Sequence, residues 1–267
     1  MGRSRNIWGP YESSEMNPLY TASGTTQYVQ NTGHGDLFQD QNAQWWVIML
    51  GIRIKDGRSI MGRETFLTAV NWPCDGWPMI ESITSDGNLG TNFKECQDSL
   101  AVNPWVYLRD AKLDRYHIHD KCITLQADPV EFTSPDESIT FLGQRQRILE
   151  GTATVTVYKP QHYTSVRVGL ALYKDEHRFL AIGYDFHSKH VTETQGVEFQ
   201  DFVSFKIGYT ETSLQFFFWM DEPDWHNLAT VDTAIMTDYD FTGPIIGTFA
   251  IGDDVAVEFG DFEADAV

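Results

Sequence analysis

The chain has 267 residues, of which 42% are hydrophobic and 13% aromatic, enough for the core of one large β domain or two smaller ones. Its formal net charge of -19 at pH 7 argues against nucleic acid as a partner, because such binding requires Lys and Arg to neutralise phosphates. We therefore expect neutral or cationic ligands, with solubility as the simpler explanation of the acidity.

Cysteine spacing and the N-terminal segment add further exclusions. Cys74, Cys96 and Cys122 form no C-x-x-C pair, so neither a disulfide framework nor a thiolate zinc site is indicated, although a bridge from Cys74 to Cys96 stays open. The opening MGRSRNIWGPYESSEMNP has basic residues but no apolar run, unlike a secretory signal. No window reaches the ~18 apolar residues of a membrane helix. We expect no membrane partner, and the sequence indicates no compartment.

Alternating and β-branched or aromatic runs dominate the chain, and long 3.6-residue periods are absent, which predicts an all-β fold. The predicted strands cover residues 45–51, 64–70, 122–127, 151–158, 165–173, 177–185, 202–210, 213–220, 246–251 and 255–262.

Four of these strands carry finer predictions. Over residues 151–158 the alternation places Ala153, Val155 and Val157 on one face and threonines on the other, as in a sheet with one solvated side. Residues 165–185 predict a hairpin with Lys174, Asp175 and Glu176 at its tip. The run Phe216, Phe217, Phe218, Trp219 has no polar alternation, so it predicts a strand buried on both faces or one that lines an aromatic cleft.

A linker is predicted over residues 82–98, where SITSDGNLGTN is rich in Ser, Gly, Asn and Thr and lacks periodic apolar residues. It separates a first domain over residues 1–81 from a second over residues 99–267. The second has enough strands for a two-sheet sandwich of the jelly-roll type.

Two residues of the first domain are candidates for ligand binding. His34, between Gly33 and Gly35, either faces a ligand or a metal-bound water, or bonds a neighbouring carbonyl within a turn. Arg63 follows Gly62, and its planar guanidinium suits bidentate contact with sugar hydroxyls or a carboxylate. On a strand it would point away from Glu64. A structural ion pair is the alternative role for this arginine.

Other candidates are weaker. Trp45, Trp46, Trp72 and Trp77 could stack on sugar rings, although core packing explains the first two more simply. His117 and His119 would share a strand face and, with Asp120, make a metal site that lacks a third partner at informative spacing; a solvated loop is the simpler interpretation. The motifs G-x-S-x-G, H-E-x-x-H, G-x-x-x-x-G-K-[ST] and G-x-G-x-x-G are absent, so no catalytic residue is assigned.

The motifs NTGHGDL, QWWVIMLG, MGRETFL and DGWPMIE resemble the last blade of the five-bladed β-propeller of glycoside hydrolase family 43, the β-xylosidase and α-L-arabinofuranosidase group. LRD, ITLQA and FLGQRQ followed by GTATVTV resemble the family's C-terminal concanavalin A-like sandwich. This resemblance implies a residual C-terminal part of the propeller over residues 1–81 and a concanavalin A-like β-sandwich, or jelly roll, over residues 99–267.

The resemblance also implies roles for the two candidate residues. His34 would lie near the propeller axis and reach a bound divalent cation, calcium, through water, and Arg63 would contact a sugar of the xylose or arabinose type. Family members hydrolyse O-glycosyl bonds with an Asp base, a second Asp and a Glu acid, all in blades upstream of the part that this chain resembles. It therefore resembles a truncated glycosidase without catalytic residues, inactive alone. Gln144 stands where the family often has a basic residue.

Two other functions stay open. One is a non-catalytic carbohydrate-binding β-sandwich, with the Phe216 to Trp219 run and Tyr184 as its aromatic surface. The other is a shortened relative that acts on a non-sugar metabolite.

Overall fold

The computed structural model describes residues 1–80, 82–83, 104–162, 165–192, 201–220, 223–238 and 240–266, and these residues are mainly in strands. The chain divides into two compact units, Met1–Leu100 with Tyr239–Phe241, and Ala101–Asp238 with Thr242–Val267. The predicted linker over residues 82–98 lies outside the described residues, apart from Ser82 and Ile83. No helix in the described part of the chain is long and apolar enough to cross a membrane.

The first unit contains a four-stranded antiparallel sheet in the order β3-β4-β5-β6 and a separate two-stranded ribbon of β1 and β2. The strands are β1 (Gly2–Arg3), β2 (Glu12–Ser13), β3 (Val29–Gln39), β4 (Trp45–Arg53), β5 (Glu64–Asn71) and β6 (Met79–Ile80).

Strand β4 determines the two faces of this sheet. Its alternating residues Val47 and Met49 are buried in a cluster that also contains Val29, Phe66 and Val70. On the other face Trp46 is buried, but Ile48 is 39% exposed. Because alternate residues of a strand point to opposite faces, one face of the sheet has its own core and the other is only partly covered.

The second unit is a sandwich of two antiparallel sheets. Its strands are β7 (Val106–Tyr107), β8 (Tyr116–His119), β9 (Cys122–Gln126), β10 (Phe141–Arg145), β11 (Gly151–Tyr158), β12 (Val166–Tyr173), β13 (Phe179–Asp185), β14 (His190–Val191), β15 (Phe202–Tyr209), β16 (Ser213–Trp219), β17 (His226–Asp232), β18 (Ile245–Gly252) and β19 (Ala256–Ala266). Single 3-10 turns span Leu113–Arg115 and Thr233–Met236.

One sheet has six strands in the order β14-β13-β12-β18-β10-β7, and the other has seven in the order β17-β16-β15-β11-β19-β9-β8. Their inward side chains are completely buried, as for Leu170 and Ile246 on the first sheet and Val155 and Phe205 on the second. Burial of apolar side chains between two sheets supplies the main stabilisation of such a sandwich.

The six-stranded sheet has a second apolar cluster on its outer face. Phe132, from the segment between β9 and β10, lies over this face and stacks on Phe179, with ring centroids 4.9 Å apart. It also meets Phe249 edge-on at 5.2 Å. A loop that brings its own aromatic ring thus covers part of the outer face, and the rest of that face stays open.

All ten predicted strands are present, with ends that differ by up to four residues. The predicted hairpin is confirmed, because β12 and β13 pair from Arg167 with Asp185 to Tyr173 with Phe179. The aromatic run in β16 alternates after all: Phe216 and Phe218 are buried, while Phe217 and Trp219 lie half-buried on the outer face. The first alternative, a strand buried on both faces, is therefore wrong, and the outer face carries the half-buried rings of Phe217 and Trp219.

Candidate functional site

His34 lies at an irregularity in β3 rather than in an isolated turn. The pairing of β3 with β4 shifts register on both sides of Gly33, and His34 has a positive φ of 45°. Such bulges re-aim a side chain and are common beside functional sites. Its imidazole is exposed, and no described residue hydrogen-bonds it. The alternative of a turn histidine bonded to a neighbouring carbonyl is therefore not observed.

The two glycines beside His34 differ in the space that a side chain would find there. A Cβ at Gly35 would lie 3.1 Å from the Met49 Cβ and 3.2 Å from the Ile48 carbonyl oxygen, so this position needs a glycine for close approach to β4. At Gly33 nothing lies within 4 Å of such a Cβ. A side chain at position 33 would therefore meet open space.

Arg63 precedes β5, directly after Gly62 with its φ of 65°. The guanidinium carbon lies 4.0 Å from the ring centroid of Phe241, which belongs to the same compact unit and is 70% exposed. A cation over an aromatic face is held by the ring quadrupole. No carboxylate in the described part of the chain pairs with Arg63, and neighbouring Glu64 pairs with Arg53 instead. The structural ion pair considered as the alternative role of Arg63 is therefore not observed among the described residues.

The sheet brings His34 and Arg63 towards the same end. Leu50 of β4 pairs with Gly33 on one side and with Thr65 on the other. Gly33, beside His34, and Thr65, two residues after Arg63, therefore lie about 9.6 Å apart across the sheet, which is two strand spacings. His34 and Arg63 thus lie on opposite sides of the central strand.

A calcium site needs six to eight oxygen ligands. The described residues contain no group of three or more His, Cys, Asp or Glu side chains that could hold a metal ion. Close to His34 in sequence, the Thr32 hydroxyl is buried without a hydrogen-bond partner, and Asp36 is exposed. One hydroxyl, one carboxylate and an imidazole are too few for calcium, so no step of the chemistry is assigned to this ion.

The tryptophans of the first unit have structural contacts. Trp45 packs on Trp72 with centroids 4.6 Å apart, and the Trp46 ring nitrogen donates to Asp40 Oδ2 at 3.2 Å. Hydrogen bonds to the Asp40 carboxylate, first from the Gln44 backbone, lower its pKa. Trp77 lies under the guanidinium of Arg3 at 4.2 Å. These contacts favour core and surface packing over sugar stacking.

Among the described residues, the other histidine and cysteine candidates form neither a metal site nor a disulfide. His117 and His119 are on an exposed strand, β8, and not in a loop; His119 Nδ1 lies 3.2 Å from Asp120. Cys122 donates to Glu258 at 3.1 Å, and this hydrogen bond and burial raise the pKa of the thiol. Cys74 is a free, exposed thiol, and Cys96 lies outside the described residues.

The aromatic surface expected on the sandwich is only partly present. Phe216, Phe218 and Tyr184 are buried in the core. Phe217 lies on the outer face, where the Lys206 ammonium is 4.7 Å from its ring and 4.3 Å from that of Trp225. Burial lowers the pKa of Lys206.

Comparison with known proteins agrees with this architecture. Residues 1–78 match the profile of "Glycosyl hydrolases family 43", and residues 93–264 match "Beta xylosidase C-terminal Concanavalin A-like domain". The fold is thus a blade-like sheet joined to a concanavalin A-like sandwich. The chain belongs to glycosyl hydrolase family 43.

Curated relatives give the same assignment. The non-reducing end alpha-L-arabinofuranosidase BoGH43B of Bacteroides ovatus is 30% identical over 192 residues, which cover 65% of this chain and 36% of that protein. A xylosidase/arabinosidase of Butyrivibrio fibrisolvens is 39% identical over 82 residues, 30% of this chain and 16% of its own length. The matches therefore span little more than a third, or less, of these relatives.

Solved structures extend the similarity to almost the whole chain. The Bacteroides ovatus xyloglucan GH43B structure matches 98% of this chain and 60% of its own, at 26% identity and a TM-score of 0.75. The GH43 BlXynB protein of Bacillus licheniformis matches 97% of this chain and 58% of its own, at 20% identity and a TM-score of 0.76, and so supports the fold alone.

Sequence reasoning missed one residue of the candidate site. Phe241 was not singled out, although it is followed by a Thr-Gly-Pro turn that signals an exposed loop. A single exposed phenylalanine is common on protein surfaces, so nothing in the sequence signalled its contact with Arg63.

Proposed function

We propose that this chain is the C-terminal part of an O-glycosidase that acts on saccharides of the xylose or arabinose type, and that His34 and Arg63 line its sugar site. One observation carries the proposal: Arg63 is exposed, unpaired with any described carboxylate and oriented by Phe241. A guanidinium held in this way keeps its donors available for sugar hydroxyls. The names of the curated relatives, arabinofuranosidase and xylosidase/arabinosidase, support the same substrate class.

Hydrolysis requires two carboxyl groups on either side of the glycosidic bond, about 6.5 to 9.5 Å apart in inverting enzymes. The family resemblance places these groups in propeller blades that precede the part matched here. We propose that the 267 residues supply substrate contacts but neither acid nor base, and do not hydrolyse glycosides on their own.

Exposed apolar side chains support a role as part of a larger β-structure. Phe38 pairs with Trp46 across β3 and β4 and is 41% exposed, on the same sheet face as Ile48. Contiguous exposed apolar surface marks an interaction site. We propose that another propeller blade covers this face in the active glycosidase.

A calcium ion near His34 is part of the proposal only in an indirect form. His34 would contact it through water, and oxygen ligands would come from other blades. The chain alone is then expected to show no calcium binding that depends on His34.

The experiment is a hydrolysis assay on 4-nitrophenyl β-D-xylopyranoside and 4-nitrophenyl α-L-arabinofuranoside. We expect release no faster than in buffer, for both the wild-type chain and Arg63→Ala. Release that scales with protein concentration and disappears in Arg63→Ala would overturn the claim that the chain is inactive alone.

A further inference from the structure

The outer face of the six-stranded sheet holds a pocket of about 410 Å³ that none of the site residues above uses. Its apolar floor follows the alternation of β13, because Phe179, Ala181 and Gly183 point to the same side. Phe132 and Phe249 continue this floor. The pocket is the part of the outer face that the loop carrying Phe132 leaves open.

Polar groups line the other end of the pocket, and strand pairing aligns them. Arg167 of β12 lies opposite Asp185 of β13, and Asp185 lies opposite His190 of β14. Glu131 accepts a hydrogen bond from Arg167 Nη2 at 2.5 Å. Ser188 completes the lining. An apolar strip and a row of donors and acceptors therefore share one cavity.

The charges of this row disfavour an anionic ligand. Arg167 and Glu131 form an ion pair, so the guanidinium is already partly neutralised. Asp185 Oδ1 accepts from the backbone nitrogens of His187 and Ser188 at 2.9 and 3.1 Å, and Oδ2 has no hydrogen-bond partner among the described residues. Two carboxylates against one guanidinium disfavour an anion, and the described residues offer no three-ligand cluster for a metal.

We propose that this pocket binds a neutral saccharide of one or two rings. A sugar ring has an apolar C–H face, which Phe179 and Ala181 would contact, and hydroxyl groups along its edge. The Arg167 guanidinium donates to these hydroxyls, and Asp185 Oδ2 accepts from them. The volume lies at the lower end of the range for small-molecule sites, roughly 300 to 1,000 Å³, which suits a small ligand. This inference is independent of the function proposed above, because every residue of the pocket is in the sandwich.

The test measures binding of D-xylose, L-arabinose and xylobiose to the full chain by saturation-transfer NMR and titration, up to a concentration on the order of 10 mM. Ala181→Phe places a ring in the cavity and should weaken binding at least tenfold. Asp185→Asn keeps the Oδ1 acceptor but removes the charge, and should weaken binding about tenfold, as expected for a hydrogen bond to a charged group. Thermal melting confirms that both variants fold.

One control variant localises the signal. Tyr158→Ala alters the outer face of the other sheet and should not change binding. Arg63→Ala removes a contact of the sugar site proposed for the first unit, so any binding that it removes is assigned to that site. The inference is overturned if none of the three sugars binds, if Ala181→Phe binds as well as the wild type, or if only Arg63→Ala abolishes binding. That last result would instead support the first unit as the sugar site. Binding of inorganic phosphate in place of sugars would also overturn it.

Discussion

Arg53 and Glu64 form a two-pronged ion pair across β4 and β5. Arg53 Nε donates to Glu64 Oε1 at 2.8 Å, and Nη2 donates to Oε2; both side chains are only 18% exposed. Two parallel hydrogen bonds between guanidinium and carboxylate fix the geometry of both groups. The pair therefore occupies the one acidic neighbour of Arg63 in sequence and leaves the Arg63 guanidinium free to lie over Phe241.

Breaking this pair should destabilise the first unit. Glu64→Gln removes the carboxylate charge that Glu64 presents to the mostly buried Arg53 guanidinium, so we expect the free energy of unfolding to fall by about 1 kcal/mol, after discount for partial solvent screening. Urea unfolding followed by tryptophan fluorescence reports on this unit, which holds five of the eight tryptophans. Glu12→Gln, in the exposed pair with Arg3, is the matched control and should change stability by less than about 0.5 kcal/mol. Equal effects of both variants would contradict the special role of Arg53 and Glu64.

Two glycines of the first sheet should tolerate alanine very differently. A Cβ at Gly51 would lie 2.7 Å from Val29 Cγ1 and 3.0 Å from the Phe66 ring, inside the buried cluster. Overpacking of this kind costs about 1–3 kcal/mol, so Gly51→Ala should lower the urea midpoint. Gly33→Ala has open space and should stay within about 0.5 kcal/mol of wild type. If Gly51→Ala left the urea midpoint unchanged, the cluster around Val29 would be packed more loosely than described.

The tip of the β12–β13 hairpin should make stability depend on pH. Burial disfavours the charged form of Asp175, but hydrogen bonds from the Arg178 side chain and from the His177 backbone outweigh it, and the pKa of Asp175 is lowered. A lowered folded pKa gives stability that is present above the unfolded value of about 3.9 and lost as pH falls through the folded pKa.

Asp175→Asn should therefore destabilise the chain at pH 7, by about 1 kcal/mol or less, and should match the wild type at a pH below the folded pKa. Denaturant unfolding at several pH values measures this difference. Asp136→Asn, at an exposed position with no hydrogen bond in the described part of the chain, should match the wild type throughout. A gap between Asp175→Asn and wild type that persists in acid would exclude the carboxylate charge as its cause.

Strands with clear alternation were predictable from sequence, as in Gly151–Tyr158, whose bounds were predicted without error. Strands with mixed patterns were missed. Val29–Gln39 reads as a turn because Gly33 and Gly35 flank His34, yet the sheet accommodates this stretch as a bulge. His226–Asp232 is a half-exposed edge strand, and only its partner β16 defines it. The alternation of buried and half-buried side chains from Phe216 to Trp219 could not be predicted from the sequence, because both faces of that strand carry aromatic rings.

The candidate site was predictable only in its polar residues. The neighbouring glycines identified His34 and Arg63 as candidate binding residues, because glycine permits close approach of another group and a positive φ. The Phe241 contact was not predictable, because it joins residues far apart in the chain. The proposed saccharide pocket could not be predicted from the sequence either. It depends on the strand register that places Arg167, Asp185 and His190 in one row across three strands.

The most direct measurement is the release of xylose from xylobiose and of arabinose from arabinoxylo-oligosaccharides, followed by ¹H NMR beside a full-length family 43 glycosidase. The proposed function gives this chain no positioned acid or base, so the chain should be slower than that enzyme by a factor on the order of 10⁴ or more. Turnover within about tenfold of the full-length enzyme, lost on Arg63→Ala, would contradict this function and would place the catalytic carboxylates within these 267 residues.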